Sequence, residues 1–287
     1  MRFVLLLAFV FELYAAPKML HLTFHSGCEK EIEAVGKQFG IEVDTWRIPS
    51  LPDKFFDGIS SGNELYNLGE ERAQRIWDLH KETFLKYDAI ITSDTAPLAR
   101  IFLQNDWPKP LIIWICNRFD YSDQASLDCD FPDEAYYELF RKAMTLPNVK
   151  VIAYTEFEHH YAHKQGVNTG SIIITPSAFE ILPLNKSFIP SNIVKNETFF
   201  LPPYHNETQF MDMQKFLSDL GIPVYCGKYN GARDLEDFKG IIHFPYAWSN
   251  LALFENLSLG LPYFLPSEKF FVELVTNNSN YLDNESD

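Results

Sequence analysis

The sequence predicts an α/β fold built from parallel sheets, and two observations lead to this prediction. Short apolar runs alternate with amphipathic segments of helical period along most of the 287 residues. The alternation resumes after an interruption between Ile181 and Lys195, where Pro183 and Pro190 break regular structure. Because parallel strands need such helical connections, we expect two α/β domains, each Rossmann-like in architecture.

Residues 1–17 have the pattern of a secretory signal peptide. Arg2 provides a short basic start, Phe3–Phe11 is apolar, and Ala15 and Ala16 are small enough for a cleavage site. The apolar stretch is too short to span a bilayer, and the alternative interpretation is a first buried strand. We therefore expect a protein of the ER or Golgi lumen, or a secreted one, with an N-terminal membrane anchor if the segment is retained.

Residues 18–190 form the predicted N-terminal domain. Short apolar runs rich in branched residues predict the strands Met19–Phe24, Ile41–Trp46, Tyr87–Thr92, Pro110–Cys116, Val149–Tyr154 and Ser171–Thr175. Helical periodicity predicts the helices Glu29–Phe39, Leu68–Lys86, Thr95–Gln104, Asp133–Thr145 and Glu156–Lys164. In the first helix, Ile32, Val35 and Phe39 share one face, so we expect them to point inward.

Residues 191–276 form a shorter C-terminal domain with the same alternation, and residues 277–287 form a polar tail. The predicted strands are Thr198–Leu201, Ile222–Cys226, a short run beginning at Ile241 and Ile242, and a last strand after Pro262. The predicted helices are Glu207–Leu220, Asp234–Lys239 and one that begins near residue 250.

The helix near residue 250 is apolar nearly all round, which predicts that it is buried. Ser249 or Asn250 can cap its N-terminus, and Gly260 stands where a left-handed C-terminal residue belongs. One carboxylate, Glu255, lies inside this apolar helix. Burying a charge alone is costly, so we expect Glu255 to have a protein or ligand partner.

Residues 254–262, with the sequence Phe-Glu-Asn-Leu-Ser-Leu-Gly-Leu-Pro, resemble the donor-binding segment of GT-B glycosyltransferases. In that family the glutamate accepts hydrogen bonds from the donor's ribose, and the helix N-terminus faces the diphosphate. The resemblance implies that Glu255 binds ribose and that the backbone of Ser249, Asn250 and Leu251 binds diphosphate. Many retaining members carry a second glutamate eight residues earlier, where this chain has Ala247. The alternative is a buried helix of any α/β protein.

The resemblance implies two domains that face each other across a cleft. It also implies transfer of a sugar from a nucleotide-sugar donor to a glycan or glycoprotein acceptor, without a cofactor or a bound metal. Lys228 and Arg233, on a glycine-flanked loop, are the candidate phosphate ligands, and the alternative is that they are solvated loop charges. The competing function is a secreted, catalytically inactive GT-B-like protein that binds carbohydrate or another partner.

Ligands of parallel α/β sheets bind outside the carboxyl ends of the strands, which selects three loops in the N-terminal domain. His25 is the candidate general base, because imidazole titrates near neutrality and inverting GT-B enzymes place a histidine on this loop. Arg118 and Asp120 form either a structural ion pair or a catalytic and acceptor-binding pair, and Asp94 is a further acceptor-side candidate. The resemblance places His25, Arg118 and Asp120 in one cleft with Glu255.

Charge, histidine and cysteine content exclude several other classes. The net charge of −15 argues against nucleic acid as a partner. His159 and His163 are four residues apart but lack the glutamate of an HExxH motif, so we expect an exposed helix face there rather than a metal site. The four cysteines show no metal-binding spacing, and several disulfide pairings are open, of which Cys116 with Cys129 is the most local. The sequons begin at Asn185, Asn196, Asn206, Asn256, Asn277 and Asn284.

Overall fold

The protein is described from a computed structural model, in which residues 16–51, 55, 68–120, 134–176, 187–203, 212–244 and 250–277 are described. These residues fall in two compact units that divide after residue 179. Each unit contains one sheet with parallel strand pairs, five strands in the first and four in the second. The predicted α/β class with a smaller second unit is therefore confirmed.

The first unit alternates strands and helices along the chain. Its strands are β1 (Lys18–Thr23), β2 (Glu42–Arg47), β3 (Ala89–Asp94), β4 (Leu111–Ile115) and β5 (Val149–Ala153). Its α-helices are α1 (Ser26–Phe39), α2 (Glu70–Phe84), α3 (Arg100–Leu103), α4 (Glu134–Ala143) and α5 (Glu156–Lys164). Short 3-10 turns occupy Ile48–Ser50 and Ala96–Ala99.

The strand order of the first sheet is β2-β1-β3-β4-β5, and all four pairings are parallel. Strands β1, β3 and β4 are therefore consecutive, and the segments that follow them lie at one edge of the sheet. In the sheet, β2 lies on one side of β1, and the next strand along the chain, β3, lies on the other side of β1. This reversal is a topological switch point, the place where open α/β sheets bind ligands.

Apolar side chains from the sheet and the helices form one core in the first unit. Every residue of β3 and β4 is buried, as expected for central strands that are covered on both faces. Helix α1 packs through Cys28, Ile32 and Gly36, which are spaced by four residues. A Cβ atom at Gly36 would lie 2.9 Å from Val43, so only glycine allows this approach to β2.

Three predictions about the first unit are wrong in detail. Phe39 is exposed, because the buried row of α1 runs through Cys28, Ile32 and Gly36 and leaves Phe39 beside it. The segment Thr95–Gln104 begins as a 3-10 turn at Ala96 and becomes α-helical only at Arg100. The predicted strand Ser171–Thr175 makes a single bridge, to the last residue of β5, because β5 ends there and offers no further ladder positions.

The second unit contains the strands β6 (Phe199–Leu201), β7 (Val224–Cys226), β8 (Ile241–Ile242) and β9 (Tyr263–Phe264). Its α-helices are α6 (Met213–Asp219), α7 (Leu251–Ser258) and α8 (Glu268–Asn277), with 3-10 turns at Lys195–Glu197 and Ala232–Leu235. The strand order is β7-β6-β8-β9, which places a switch point between β6 and β8. Helix α8 is an element that the sequence patterns did not identify.

Several predicted features lie outside the described residues. These are residues 1–15 of the signal peptide, the sequons at 185, 206 and 284, the tail from 278 onward, and residues 245–249 with Ala247 and Ser249. None of the helices in the described part of the chain combines the length and the apolar composition that crossing a membrane requires.

Candidate functional site

The carboxyl edge of the first sheet brings together the segments that follow β1, β3 and β4. His25 lies two residues after β1, Asp94 is the last residue of β3, and Asn117 lies two residues after β4. The Asn117 side-chain amide donates a hydrogen bond to the Asp94 carboxylate at 3.1 Å. Because β1 and β3 flank the switch point, His25 and Asp94 stand where the fold favours a ligand.

His25 is the N-cap of α1, so the helix begins three residues earlier than the sequence predicts. Its Nδ1 accepts the backbone N–H of Gly27 at 3.0 Å, which places Ser26, Gly27 and Cys28 in the first helical turn. A neutral imidazole has one lone pair on nitrogen, and here this lone pair is engaged by Gly27. His25 can therefore act as a general base only if it releases this cap.

Asp94 occupies an unusual backbone position for a residue other than glycine. Its φ is 76°, a left-handed conformation that aspartate and asparagine tolerate better than other residues. Burial raises the pKa of the Asp94 carboxyl to about 7, and the charge of Cys28 adds to this shift. His25 and the hydrogen bond from Asn117 act in the opposite direction. Strained backbone and a pKa near neutrality are both typical of functional sites.

We expect replacement of Asp94 by asparagine to remove a component of the pH dependence of stability. The folded-state pKa of about 7 lies above the ordinary value of 3.8, so the folded chain holds this proton more tightly than the unfolded chain. Stability is then lost as the pH rises from about 4 to about 7, with a slope of up to about 1.4 kcal/mol per pH unit. Asparagine keeps the oxygen acceptor and cannot ionise.

The test of Asp94 measures urea unfolding between pH 4 and pH 7 for the parent chain, Asp94→Asn and the control Asp78→Asn. Asp78 lies on α2 and accepts only an exposed hydrogen bond from Gln74. As the pH rises, the parent chain should lose unfolding free energy relative to Asp94→Asn. The difference between the parent chain and Asp78→Asn should not change with pH. A difference that is independent of pH would contradict the proposed protonation of Asp94.

Three buried side chains beside Asp94 and His25 belong to the same edge of the sheet. The Cys28 Sγ lies 3.8 Å from the Cys116 Sγ and 3.5 Å from the Tyr154 hydroxyl. The hydrogen bond between the two thiols lowers the pKa of Cys28, while burial raises the pKa of Cys116. The spacing of these cysteines in the sequence does not predict their contact. Cys28 lies in the first turn of the helix that follows β1, and Cys116 directly follows β4, and these positions are the signal that could have linked them.

Asp120 is surrounded by donors and only 1% exposed. Arg118 Nε donates to its Oδ1 at 2.7 Å, the Tyr137 hydroxyl donates to Oδ2 at 2.8 Å, and the Tyr161 hydroxyl lies 3.0 Å from Oδ2. Burial, and then the Asp120 charge, raise the pKa of Tyr161 to about 12, so this hydroxyl keeps its proton. The arrangement favours the structural alternative for Arg118 and Asp120. The catalytic role of Asp120 stays a prediction.

His159 is buried rather than part of an exposed helix face. Its Nδ1 lies 2.8 Å from the Thr169 hydroxyl, and its Nε2 lies 3.0 Å from the carbonyl oxygen of Ile172. The expectation of an exposed face is therefore wrong for this residue, because α5 turns it toward the segment after the helix. Within the described residues, no group of three or more His, Cys, Asp or Glu side chains could hold a metal ion.

In the second unit, β8 lies beside the switch point and leads toward α7. His243 directly follows β8, is buried, and packs edge-on against the Tyr263 ring at 5.6 Å between centroids. Burial lowers the pKa of His243 to about 4, so its ring is neutral at physiological pH. Sequence reasoning did not select His243. The strand-end rule that selected His25 would have found it.

Helix α7 carries the predicted donor-binding residues. Asn250 occupies its N-cap position, and Leu251 is its first residue. Glu255 lies on the second turn and is only 9% exposed, as the apolar pattern of the helix predicts. After the helix, Gly260 has a φ of 71°, the left-handed conformation that the sequence predicts for this glycine.

Lys228 lies on the loop that follows β7, and Arg233 lies in the 3-10 turn after that loop. In the sheet, β7 is on the far side of β6 from β8. Lys228 is exposed, and Arg233 is half-buried with its guanidinium 3.8 Å from Glu236. Both positions are compatible with phosphate ligands and with the alternative of solvated loop charges, so phosphate binding by Lys228 and Arg233 stays a prediction.

Asn256 follows Glu255 and begins a sequon, but its side chain anchors α7 to β9. Its Nδ2 donates to the Tyr263 hydroxyl at 2.7 Å, and the residue is 3% exposed. N-glycosylation uses this same nitrogen, so a glycan would require the helix to leave the strand. In a glycosylating host we expect Asn256 to remain unmodified and Asn196, which is exposed, to accept a glycan.

The glycosylation test is site mapping by mass spectrometry of protein secreted from a eukaryotic host. Asn196→Gln should remove mass from the glycosylated chain, and Asn256→Gln should leave the glycan mass unchanged. An occupied Asn256 would show that α7 does not pack on β9 in the folded protein.

The chain was compared with protein families, curated proteins and solved structures. No family model and no curated protein matches the sequence. A crystal structure of CalG4, the calicheamicin glycosyltransferase, matches at 12% identity with a TM-score of 0.42, over 94% of this chain and 84% of that chain. A crystal structure of Arabidopsis thaliana UGT89C1 in complex with UDP-L-rhamnose matches at 11% identity with a TM-score of 0.45, over 92% of this chain and 83% of that chain.

Both TM-scores are below 0.5, so the activity of neither protein is carried over to this chain. One of the two is named as a glycosyltransferase, and the other is named as holding a nucleotide sugar.

Proposed function

We propose that the chain is a glycosyltransferase that moves a sugar from a nucleotide-sugar donor to a glycan or glycoprotein acceptor in the secretory pathway. The observation that carries the proposal is the position of Glu255. Glu255 lies in the second turn of α7, the helix that follows β8 in the chain, and the residue is 9% exposed. No cofactor is part of the proposal.

Donor binding follows from the placement of α7. The first N–H groups of a helix have no partner inside the helix, and the helix dipole favours an anion there. A diphosphate at Asn250 and Leu251 would use both effects, and Glu255, one turn further, would accept hydrogen bonds from ribose hydroxyls. Lys228 and Arg233 would supply positive charge, which a chain with a net charge of −15 needs near an anionic donor.

Acceptor activation is assigned to the carboxyl edge of the first sheet. His25 is the candidate general base, provided that substrate displaces the cap on Gly27. Asp94 is the carboxylate whose pKa responds to the charge of His25, so it is the better partner for the imidazole. Asp120 is already engaged by Arg118 and Tyr137, which leaves it less suited to proton transfer.

A catalytically inactive protein that binds carbohydrate or another partner is the second candidate. One observation favours it: the Nδ1 lone pair of His25, which a general base would use, already accepts the backbone N–H of Gly27. The two functions differ in catalytic turnover, because only a transferase releases nucleotide from a nucleotide-sugar donor.

A panel of nucleotide sugars tests the proposal. Purified chain is incubated with each donor, with and without a mixture of glycan acceptors, and released nucleotide is measured. Acceptor-dependent release from at least one donor that falls by tenfold or more in His25→Ala supports the transferase. Donor binding by calorimetry without any release supports the inactive protein, and neither binding nor release of any donor would contradict the transferase.

A further inference from the structure

Two buried thiols meet at the carboxyl edge of the first sheet from positions 88 residues apart in the sequence. Cys28 lies in the first turn of α1, and Cys116 directly follows β4. Their Sγ atoms are 3.8 Å apart, and the residues are 1% and 7% exposed. We propose that Cys28 and Cys116 are a disulfide-forming pair, which closes when the protein equilibrates with a low-molecular-weight disulfide such as oxidised glutathione.

The distance that remains to be closed is small. A disulfide bond is about 2.05 Å long, so the two sulfur atoms have to approach by less than about 2 Å. Side-chain rotation and a slight shift of the first turn of α1 can supply this movement.

The other two cysteines provide the competing pairings. Cys226 lies in the second unit and is half-buried. Cys129, which the sequence analysis paired with Cys116 as the most local choice, lies outside the described residues. A Cys116–Cys129 bond and a Cys28–Cys116 bond exclude each other, so a single mapping experiment separates them.

The exchange proceeds in two balanced steps. Cys28 is the more acidic thiol, because its hydrogen bond with Cys116 lowers its pKa. Its thiolate attacks one sulfur of oxidised glutathione, which forms a mixed disulfide and releases one glutathione thiolate. Cys116 then loses its proton to solvent and attacks the Cys28 sulfur, which releases the second glutathione. Two protein thiols are oxidised and one glutathione disulfide is reduced to two thiols.

The bond would link the helix that His25 caps to the strand end that precedes Asn117. His25 lies three residues before Cys28, and Asn117, which donates a hydrogen bond to Asp94, directly follows Cys116, so the link ties the helix that His25 caps to the segment that contacts Asp94. Closing a loop of this length also restricts the unfolded chain, which should lower the unfolding equilibrium constant by roughly a thousandfold. The pairing does not depend on glycosyl transfer.

The test maps disulfides in the full chain after equilibration with a glutathione buffer. Free thiols are alkylated in denaturant at low pH, the chain is digested without reduction, and linked peptides are identified by mass spectrometry. We expect a Cys28–Cys116 peptide in the parent chain and in the controls Cys226→Ser and Cys129→Ser. Because burial protects both thiols, Cys226 should react with oxidised glutathione before either of them.

Urea unfolding supplies a second measurement. Dithiothreitol should lower the unfolding midpoint of the oxidised parent chain and of Cys226→Ser, and should leave Cys28→Ser and Cys116→Ser unchanged. A Cys116–Cys129 peptide as the main product, or full alkylation of Cys28 and Cys116 after equilibration with oxidised glutathione, would overturn the proposal. The mapping needs no variant, so a poorly folding variant leaves the test intact.

Discussion

Replacing Glu255 by glutamine is expected to weaken the binding of a nucleoside diphosphate by about thirty- to a hundredfold. The carboxylate accepts hydrogen bonds from two ribose hydroxyls in the proposed complex, and charge-assisted bonds of this kind contribute about 2–3 kcal/mol. Glutamine has nearly the same volume and retains one acceptor oxygen, so the helix should keep its packing. Calorimetric titration with uridine and guanosine diphosphates measures the effect.

Glu273→Gln is the matched control for Glu255→Gln. Glu273 lies on α8, is exposed, and makes only a long ion pair with Lys269 at 3.9 Å. The control should bind the nucleotide as the parent chain does, and both variants should unfold within about 1 kcal/mol of the parent. Equal affinity of Glu255→Gln and the parent chain would remove ribose binding from Glu255 and with it the main support for the glycosyltransferase.

Replacing Asp120 by alanine is expected to destabilise the first unit by about 3–5 kcal/mol. The change leaves the buried hydroxyl of Tyr137 without its acceptor and removes the partner of Arg118. Removing one partner of a buried ion pair destabilises the fold by more than the lost attraction, because the remaining groups stay desolvated without a partner. Urea unfolding followed by circular dichroism measures the loss.

Tyr137→Phe and Tyr161→Phe are the controls for Asp120→Ala. Each removes one hydroxyl donor and keeps the carboxylate, so each should cost about 1 kcal/mol. If Asp120→Ala abolishes nucleotide release while its stability stays within 1 kcal/mol of the parent chain, the carboxylate is catalytic and the structural assignment fails. A large loss of stability that also accounts for lost activity supports the structural role.

Periodicity in the sequence determined most of the secondary structure. Helix α5 spans Glu156–Lys164 in the structure, as predicted, because Thr155 caps it and Glu158 completes the capping box. The buried position of Glu255 and the left-handed Gly260 were also predictable. Both follow from residues within one helix and its end, and such interactions are local in sequence.

Tertiary structure decided which side chains meet. The order β2-β1-β3-β4-β5 brings Cys28 to Cys116, and the packing of α4 and α5 brings Tyr137 and Tyr161 to Asp120. No spacing in the sequence specifies these neighbours, because strand order is set by how the helices cover both faces of the sheet.

The role of His25 was also only partly predictable from the sequence. The sequence placed this histidine after the first strand, where a ligand-binding residue belongs, and the structure adds that its Nδ1 caps α1 through Gly27. A side chain at this position can either satisfy the helix N-terminus or accept a proton from a substrate. Which of the two it does depends on where α1 starts in the folded chain, and the pattern of apolar residues does not encode the exact start of a helix.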